Sequence, residues 1–387
     1  MHSSMSATTT PEAGADIAVD LYPFLRKYKD GRIERFAGST FVPASEPPAR
    51  ATAGVATRDV VIDPVTGVSA RLFLSAAALA TSNTLPVIVY FHGGCFCTGS
   101  AFSKMFHRYA ESLAARAGAL VVSVDYRLAP EHPIPAAYDD AWAAFRWAAS
   151  LSDPWLARHG DPTRVFLAGE SAGANIAHNV ASRAGSSPDI DIEGLIVLQP
   201  FFWGVERLPF ETDRRHNDGR HMFSPEKVDT FWPFLTAGLA GNDDPRLNPP
   251  AEQVASLPCR RAFVSDLARD RGRRYASWLD FHGRWCREVT LVESDGEDHA
   301  FHLYRPRRAA AVALMDSVVQ FVNEEPNSVA ETTTLLHDAT RRMCLAAHRS
   351  VVVDRIRKSA SLQGRWCGMH WWFDLGRHRH QDHLDWG

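Results

Sequence analysis

The chain has 387 residues, of which 45% are apolar and 22% charged, with a formal net charge of −3. This composition excludes disorder of the whole chain, because disorder requires few apolar groups and a strong net charge. The balance of acidic and basic residues also argues against a nucleic-acid partner, which demands a basic surface to neutralise phosphates. Length alone is compatible with one large domain or with two to three small ones.

Strand and helix patterns alternate along most of the chain. Leu85–Phe91 is an unbroken apolar run, which is typical of a strand buried on both faces of a parallel sheet. The alternation predicts an α/β fold with a mostly parallel sheet. The predicted strands are Arg58–Asp63, Ala70–Ser75, Leu85–Phe91, Ala119–Val124, Thr163–Ala168, Leu195–Leu198, Ala262–Val264 and Val289–Val292. The predicted helices are 102–117, Ala136–Ser150, Ala172–Arg183, Arg273–His282 and Pro306–Val322.

Three segments depart from this alternation. Residues 1–16 are rich in Ser, Thr, Ala and Pro, which predicts a mobile tail. Residues 17–56 are rich in proline and irregular. Residues 200–255 carry many aromatic side chains among polar ones, and this insertion is either a cap over a site or an extra helical layer packed in the ordinary way.

The cysteines and the apolar runs bear on the compartment. Six cysteines in so long a chain do not form a paired framework, which favours reduced thiols. No apolar run approaches the roughly 20 residues that span a bilayer. The first 16 residues lack the apolar core of a secretory signal and contain Glu12 and Asp16. We therefore expect a cytoplasmic protein without a membrane partner.

The sequence Gly169-Glu170-Ser171-Ala172-Gly173 is the sharpest chemical motif. A G-x-S-x-G pattern alone is weak, but here it follows a predicted strand and opens a predicted helix. That context is typical of a nucleophile elbow, in which a sharp turn lifts the serine hydroxyl above the sheet. The alternative is a glycine-rich turn with a buried serine.

The triplet His92-Gly93-Gly94 directly follows the apolar strand Leu85–Phe91. Glycines at such a place let backbone N–H groups approach a substrate carbonyl closely. We expect Gly93 and Gly94, together with Ala172 after the serine, to form an oxyanion hole. By itself the triplet is typical of a turn.

A serine nucleophile also requires a base and an acid, in the chain order Ser, Asp or Glu, His. The base candidate is His299, which follows the strand Val289–Val292 in the loop Gly296–Phe301, although His282 and His302 lie nearby. The acid candidate is Asp266, which comes soon after the strand Ala262–Val264. Asp270 is its rival and is equally suited to capping a helix or pairing with an arginine.

Together these motifs resemble those of plant carboxylesterases of the hormone-sensitive-lipase branch of the α/β-hydrolase fold. Further matches are Tyr28–Arg32, Asp59–Leu72, Asp125–His132 and Asp266–Gly272, and the resemblance covers about residues 17–325. It implies a serine esterase acting on small acyl esters without metal or cofactor, with helices on both faces of its sheet. It also implies a cap made of the N-terminal segment and the 200–255 insertion, with Phe96 and Phe202 at the acyl pocket.

The chain departs from the family pattern in two places near the site. Cys95 replaces the third glycine of the loop, and the segment before Asp266 is about two residues shorter than usual. The family also includes gibberellin receptors, which have lost the catalytic histidine, and dehydratases that act on isoflavonoid-like substrates. This chain keeps both Ser171 and His299, which favours the esterase. We expect Asp125, Tyr126, Arg127, Glu131 and His132 to brace the loop.

A C-terminal extension, residues 327–387, has no counterpart in the family pattern. It holds four tryptophans and six histidines. Cys367, His370, His378, His380 and His383 can be drawn as a metal site, but their spacing matches no zinc pattern, and we expect none. The predicted organisation is thus a tail over residues 1–16, one catalytic domain over 17–326, and a poorly ordered extension over 327–387.

Overall fold

The computed structural model describes residues 16–324 except 37–39, 46–53, 188–190, 213–223, 268–269 and 283–285; at 270, 281 and 282 it describes the backbone only. Residues 1–15 of the predicted tail and the predicted extension over 327–387 lie outside this part of the chain.

Each predicted strand and helix has an observed counterpart close to its predicted position, and the structure adds further short elements. The described strands are β1 (Ile17–Leu21), β2 (Leu25–Tyr28), β3 (Ile33–Arg35), β4 (Val55–Val61), β5 (Ser69–Ser75), β6 (Leu85–Phe91), β7 (Leu120–Asp125), β8 (Gly160–Glu170), β9 (Ile192–Leu198), β10 (Cys259–Asp266) and β11 (Glu288–Glu293). The described helices are α1 (Ala76–Leu79), α2 (Lys104–Ala117), α3 (Ala136–Ala149), α4 (Pro154–His159), α5 (Ala172–Ala184), α6 (Pro209–Thr212), α7 (Pro225–Leu235), α8 (Ala251–Ala255), α9 (Asp270–His282), α10 (Phe301–Tyr304) and α11 (Ala309–Asn323).

The central sheet has eight strands in the order β11-β10-β9-β8-β6-β7-β5-β4. All neighbours from β7 to β11 run parallel, whereas β4 and β5 join antiparallel at one edge. The prediction of an α/β fold with a mostly parallel central sheet is confirmed.

Helices cover both faces of this sheet, and strand β6 shows how the core is divided. Val87, Val89 and Phe91 belong to a cluster with residues of α3, α5 and α9. Ile88 and Tyr90 belong to another cluster, with residues of α2 and α11. Alternate side chains of a strand point to opposite faces, and Pro86–Phe91 are all buried, as the unbroken apolar pattern predicted, while Leu85 is half-buried.

The N-terminal segment is more regular than its sequence indicated. Strands β1, β2 and β3 form a three-stranded antiparallel sheet rather than an irregular stretch. These strands have three to five residues, too short for an alternating pattern to stand out.

The 200–255 insertion contains helices α6, α7 and α8. Its aromatic residues Phe201, Phe231 and Trp232 are buried in the same cluster as α3 and α5. These side chains therefore make an additional layer on that face of the sheet.

Four motif-bearing loops meet at one edge of the sheet. His92 follows β6, Ser171 follows β8, Asp266 ends β10, and His299 follows β11. Because β6, β8, β10 and β11 all belong to the parallel part of the sheet, their carboxyl ends lie along the same edge, where ligands of open α/β sheets bind.

Candidate active site

Ser171 occupies the sharp turn between β8 and α5. Its backbone has φ 55° and ψ −119°, a sparsely populated conformation for a residue with a side chain. The turn is held on both sides, because the Ser171 N–H donates to the Leu198 carbonyl over 2.9 Å and its carbonyl accepts from the Phe201 N–H over 3.0 Å. This is the elbow geometry that the motif predicted.

Close backbone packing explains the two glycines that flank the elbow. A Cβ on Gly169 would lie 2.2 Å from the Gly173 carbonyl oxygen. A Cβ on Gly173 would lie 1.9 Å from the carbonyl oxygen of Phe91. Both distances are far below van der Waals contact, so neither position accommodates a side chain without a shift of the backbone.

His299 lies against the serine. Its Nε2 is 2.8 Å from the Ser171 Oγ, which is hydrogen-bonding distance. Gln199 holds this loop, because its Oε1 accepts a 2.6 Å hydrogen bond from the N–H of Ala300, the next residue. Nothing in the sequence marked Gln199 as a positioning residue, since the contact spans about a hundred residues of chain.

The competing histidines do not share this position. His302 is buried against Tyr109 and Phe301. Burial lowers the pKa of His302 to about 3, which keeps the ring neutral. His302 is therefore a core residue, while the side chain of His282 lies outside the described part.

Asp266 ends β10 and is buried. The shortened segment before it is strand throughout. The Asp266 carbonyl accepts a 2.9 Å hydrogen bond from the N–H of Ser294, at the start of the loop that leads to His299. Gly272 lies directly over the carboxylate, because a Cβ there would be 2.5 Å from the Asp266 Cγ. The side chain of the rival Asp270 is outside the described part.

The loop after β6 differs from expectation at Gly93. The N–H of Gly93 donates a hydrogen bond to the carboxylate of Glu170, so this donor is already engaged. Within the described residues, the N–H groups of Gly94 and Cys95 have no such acceptor. Ala172 is the first residue of α5, and its N–H has no partner within the helix.

Glu170 is the site residue that the sequence reasoning missed. It is 2% exposed, and burial raises the pKa of its carboxyl to about 8, against the opposing effect of the Gly93 hydrogen bond. The sequence did contain a signal for Glu170: it is a carboxyl-bearing residue inside the Gly169–Gly173 motif, whose other positions must be buried.

Polar contacts brace the same loop, as expected from the Asp125–His132 segment. The Tyr126 hydroxyl donates to the carbonyl of His92 over 2.7 Å, and its ring stacks on the imidazole. The Asp125 carboxylate accepts from the N–H of Ala101 over 2.9 Å. Arg127 is paired with the buried Asp140 over 2.7 Å.

Arg35 ties the N-terminal sheet to this loop. Its guanidinium pairs with Glu131 over 2.6 Å and donates to the carbonyl of Cys97 over 2.8 Å. A third hydrogen bond of 3.1 Å reaches the Ala129 carbonyl. A single side chain thereby fixes β3 against the segment that carries the expected oxyanion donors.

A cavity of about 740 Å³ opens over Ser171 and His299. Gly94, Cys95 and Glu170 also line it. The N-terminal segment contributes to the cavity wall, because Tyr22, Pro23, Phe24 and Phe36 are among the lining residues.

The two aromatic residues expected at the pocket lie elsewhere. Phe96 is fully buried against Tyr138, Phe201 and Trp232. Phe202 stacks on Tyr275 with ring centroids 5.0 Å apart. Neither belongs to the lining of this cavity.

The described cysteines are protonated thiols or lie away from the reacting serine. Cys95 and Cys97 are free and buried, and burial raises the pKa of Cys97 to about 12.

In the described part of the chain, no group of three His, Cys, Asp or Glu side chains is placed to hold a metal ion. No described helix has the length and apolar character to cross a membrane.

Comparison with known proteins agrees with this geometry. Residues 88–303 match the model of a family described as having the alpha/beta hydrolase fold. Tuliposide A-converting enzyme 1, chloroplastic, of Tulipa gesneriana is 43% identical over 335 residues, covering 83% of this chain and 82% of the relative. The 2-hydroxyisoflavanone dehydratase of Glycyrrhiza echinata is 40% identical over 342 residues, covering 83% of this chain and 100% of the relative.

Solved structures give the same result. A thermophilic carboxylesterase cloned from a metagenomic library is 27% identical, with a TM-score of 0.59 over 69% of this chain and 87% of that chain. The resemblance to plant carboxylesterases is confirmed. From its matched core and its relatives, the chain is an esterase-like enzyme that belongs to the alpha/beta hydrolase fold family.

Proposed function

We propose that the chain is a serine carboxylesterase that hydrolyses small acyl esters through Ser171, His299 and Asp266. The observation that carries this proposal is the 2.8 Å contact between the His299 Nε2 and the Ser171 Oγ at the floor of the cavity. A hydroxyl is a weak nucleophile by itself, and a base at this distance is what activates it.

In the first half of the reaction, the Ser171 Oγ attacks the ester carbonyl while His299 accepts its proton. The carbonyl electrons move to the oxygen, and a tetrahedral oxyanion forms. When this intermediate collapses, the C–O bond to the alcohol breaks, and His299 returns the proton to the leaving alcohol. Asp266 holds the imidazole in the required tautomer and stabilises the imidazolium.

The second half regenerates the enzyme. Water attacks the acyl-serine ester while His299 accepts one of its protons. Collapse of the second intermediate releases the carboxylic acid and returns a proton to the Ser171 Oγ. The fully buried backbone around the elbow keeps the nucleophile in place through both steps.

For the oxyanion we propose the N–H groups of Gly94, Cys95 and Ala172. Gly94 and Cys95 line the cavity beside Ser171, and Ala172 begins the helix after it. Gly93 is left out of this set because Glu170 already accepts its hydrogen bond. Each donor of this kind typically contributes about 3–4 kcal/mol to transition-state stabilisation.

The substrate is proposed to be a small-molecule ester, handled without cofactor or metal. Tuliposide A-converting enzymes 1 and 2 of Tulipa gesneriana, each 43% identical to this chain, are named for the conversion of one compound, which supports a small-molecule substrate. The cavity of about 740 Å³ is of a size that accepts such molecules.

The domain and compartment assignments follow the same proposal. We expect residues 17–326 to hold the whole catalytic apparatus, so a chain truncated after residue 326 should keep its esterase activity.

We expect the protein in the cytosol, although several relatives carry the words chloroplastic or amyloplastic in their names. Imaging a fluorescent fusion at the C-terminus in plant cells tests this, and accumulation in plastids would overturn it.

A dehydratase is the second candidate, favoured by 40% identity to the 2-hydroxyisoflavanone dehydratase of Glycyrrhiza echinata. In that reaction His299 would take a proton from the substrate and return it to the departing hydroxyl group, which leaves as water, and no acyl-serine would form. Replacement of Ser171 by alanine would then leave a residual dehydratase activity, whereas it should abolish ester hydrolysis.

The experiment is a hydrolysis assay with 4-nitrophenyl acetate on the wild type and on Ser171→Ala and His299→Ala. We expect turnover in the wild type and a loss of at least about 1,000-fold in both variants. A receptor would bind small molecules tightly without any turnover. Normal hydrolysis by Ser171→Ala would show that the nucleophile is assigned wrongly, and full activity of His299→Ala would do the same for the base.

A further inference from the structure

The cavity above Ser171 extends along one stripe of helix α2. Lys104, Arg108, Ser112 and Arg116 all line it, and they stand four residues apart. Residues at this spacing lie above one another on the same side of a helix. The reactive serine and a row of basic side chains thus share one cavity.

The charge of this stripe is only partly neutralised. Arg116 is paired with Asp316 of α11. Lys104 and Arg108 are exposed, and neither forms an ion pair with a carboxylate in the described part of the chain. Lys104 and Arg108 therefore place two positive charges in the cavity that the described fold does not use for its own contacts.

The rest of the lining does not offset these charges. Among the described residues that line the cavity, Glu170 alone carries a carboxyl group. Its raised pKa of about 8 keeps most of that carboxyl neutral near pH 7. The cavity is consequently cationic where a substrate would lie.

The position of Lys104 is unfavourable for the helix itself. Lys104 begins α2, and no acidic residue stands in the first turn. A positive charge beside the positive end of the helix dipole destabilises a helix. The fold gains nothing evident from a lysine at this place, which points to a role in binding.

Another part of the lining is mostly apolar, although His302 and Tyr304 of α10 also belong to it. Its apolar residues come from α10, α11 and the turn between them, namely Leu303, Pro306, Ala311, Val312, Leu314 and Met315. A ligand that fits both parts of the lining combines a carbon skeleton with a negatively charged end. Such a ligand would leave its reactive ester bond over Ser171.

We propose that Lys104 and Arg108 form an anion subsite, and that the preferred substrates are esters with a carboxylate away from the bond that is cut. The inference rests on the proposed esterase function and names its substrate class. Arg108 offers a planar fork of donors to a carboxylate, and Lys104 offers a compact charge. The carboxylate belongs to either the acyl or the alcohol part of the ester, and the test separates the two.

The test compares matched pairs of esters. The acyl pair is 4-nitrophenyl glutarate against the neutral 4-nitrophenyl pentanoate. The alcohol pair is 4-acetoxybenzoate against the neutral 4-acetoxybenzamide. The readout is the ratio of kcat/KM for the charged ester to that for its neutral partner, in the wild type and in the double variant Lys104→Gln, Arg108→Gln.

We expect the ratio in one pair to fall by about tenfold in the double variant, which identifies the side that carries the carboxylate. In the wild type the same ratio should fall as ionic strength rises from about 50 to about 500 mM, because salt screens exposed charges. The matched control is Arg146→Gln, an exposed arginine on α3 outside the cavity lining, which should leave both ratios unchanged.

An unchanged ratio in both pairs overturns the inference, and so does an equal fall in the Arg146→Gln control. Failure of the esterase function is recognised separately. If the wild type hydrolyses none of the esters, titration calorimetry with benzoate and with benzamide tests the subsite alone. Benzoate binding that weakens about tenfold in the double variant, with benzamide binding unaffected, supports the subsite; equal binding of benzoate by both proteins refutes it.

Discussion

The N–H of Gly93 donates a hydrogen bond to the carboxylate of Glu170, the residue directly before Ser171. The bond joins the loop after β6 to the elbow after β8, which are the two segments that surround the proposed oxyanion. A Cβ on Gly93 would lie only 2.3 Å from the Glu170 Oε2, so the two residues are in the closest contact their backbones permit. Glu170 is therefore positioned to hold the loop rather than to react with substrate.

Replacement of Glu170 tests this positioning role. Glu170→Ala removes the acceptor and leaves a buried N–H unpaired, which costs about 1–3 kcal/mol in the free energy of unfolding. Without this hydrogen bond, the loop holds the proposed oxyanion donors less firmly in place. The kcat for 4-nitrophenyl acetate should therefore fall by about tenfold or more while KM changes little. Glu170→Gln keeps an oxygen acceptor and should retain most of kcat. Equal kcat values for the alanine and glutamine variants would contradict the positioning role.

The same carboxyl makes stability depend on pH. Burial raises its pKa from 4.5 to about 8, so between these values the unfolded chain has lost a proton that the folded protein keeps. Ionisation then favours the unfolded state, and the free energy of unfolding falls as pH rises through this window. Glu170→Gln lacks the titration. Urea unfolding of both proteins at pH values from about 5 to about 8.5 should show the wild type losing stability relative to Glu170→Gln; parallel curves would argue against a raised pKa.

The glycines of the elbow motif give a structural prediction. Gly173→Ala places a Cβ 1.9 Å from the Phe91 carbonyl oxygen, where only a backbone shift relieves the clash. We expect a loss of about 3 kcal/mol or more in the free energy of unfolding. The matched control is Gly185→Ala at the other end of α5, where the nearest atom is 3.3 Å away and the change should stay within about 0.5 kcal/mol. Similar melting temperatures for the two variants would be inconsistent with this packing.

Two neighbouring arginines of β10 form ion pairs that differ in burial, so their substitutions can be compared. Arg261 and its partner Glu193 are each 1% exposed, and Arg261 also donates to the Phe321 carbonyl over 2.6 Å. Arg261→Met leaves part of the buried negative charge of Glu193 uncompensated and should lower the free energy of unfolding by about 3–5 kcal/mol. Arg260→Met breaks an exposed pair with Asp191 and should change it by about 0–1 kcal/mol. Denaturant unfolding of both variants measures the difference, which should be absent if burial of the pair is unimportant.

The fold and the reactive pair were predictable because their signals are local. The apolar run of β6 and the strand-to-helix context of Ser171 each lie within about a dozen residues. Parallel strands bring their carboxyl ends to one edge, so a histidine after a later strand was expected to reach the serine. The 2.8 Å contact of His299 with Ser171 agrees with that expectation.

Other features depend on contacts between distant parts of the chain. The Gly93 hydrogen bond to Glu170 and the Gln199 hydrogen bond to Ala300 join segments about 80 and 100 residues apart. Phe96 and Phe202 were expected at the pocket but lie in the core, since composition does not distinguish an aromatic residue of a pocket wall from one of a packed interior. The short strands of the N-terminal sheet carry too few residues for a period to emerge.

Ser171 is the proposed nucleophile, and covalent labelling with a reagent for activated serines identifies such a residue. The protein is treated with diisopropyl fluorophosphate, digested, and the modified peptide is identified by mass spectrometry. We predict a single phosphoryl adduct on Ser171, with loss of 4-nitrophenyl acetate hydrolysis in proportion to labelling, and no adduct on Ser171→Ala. An unlabelled Ser171 in a fully inactivated protein, or an adduct on another residue that tracks the loss of activity, would contradict the account.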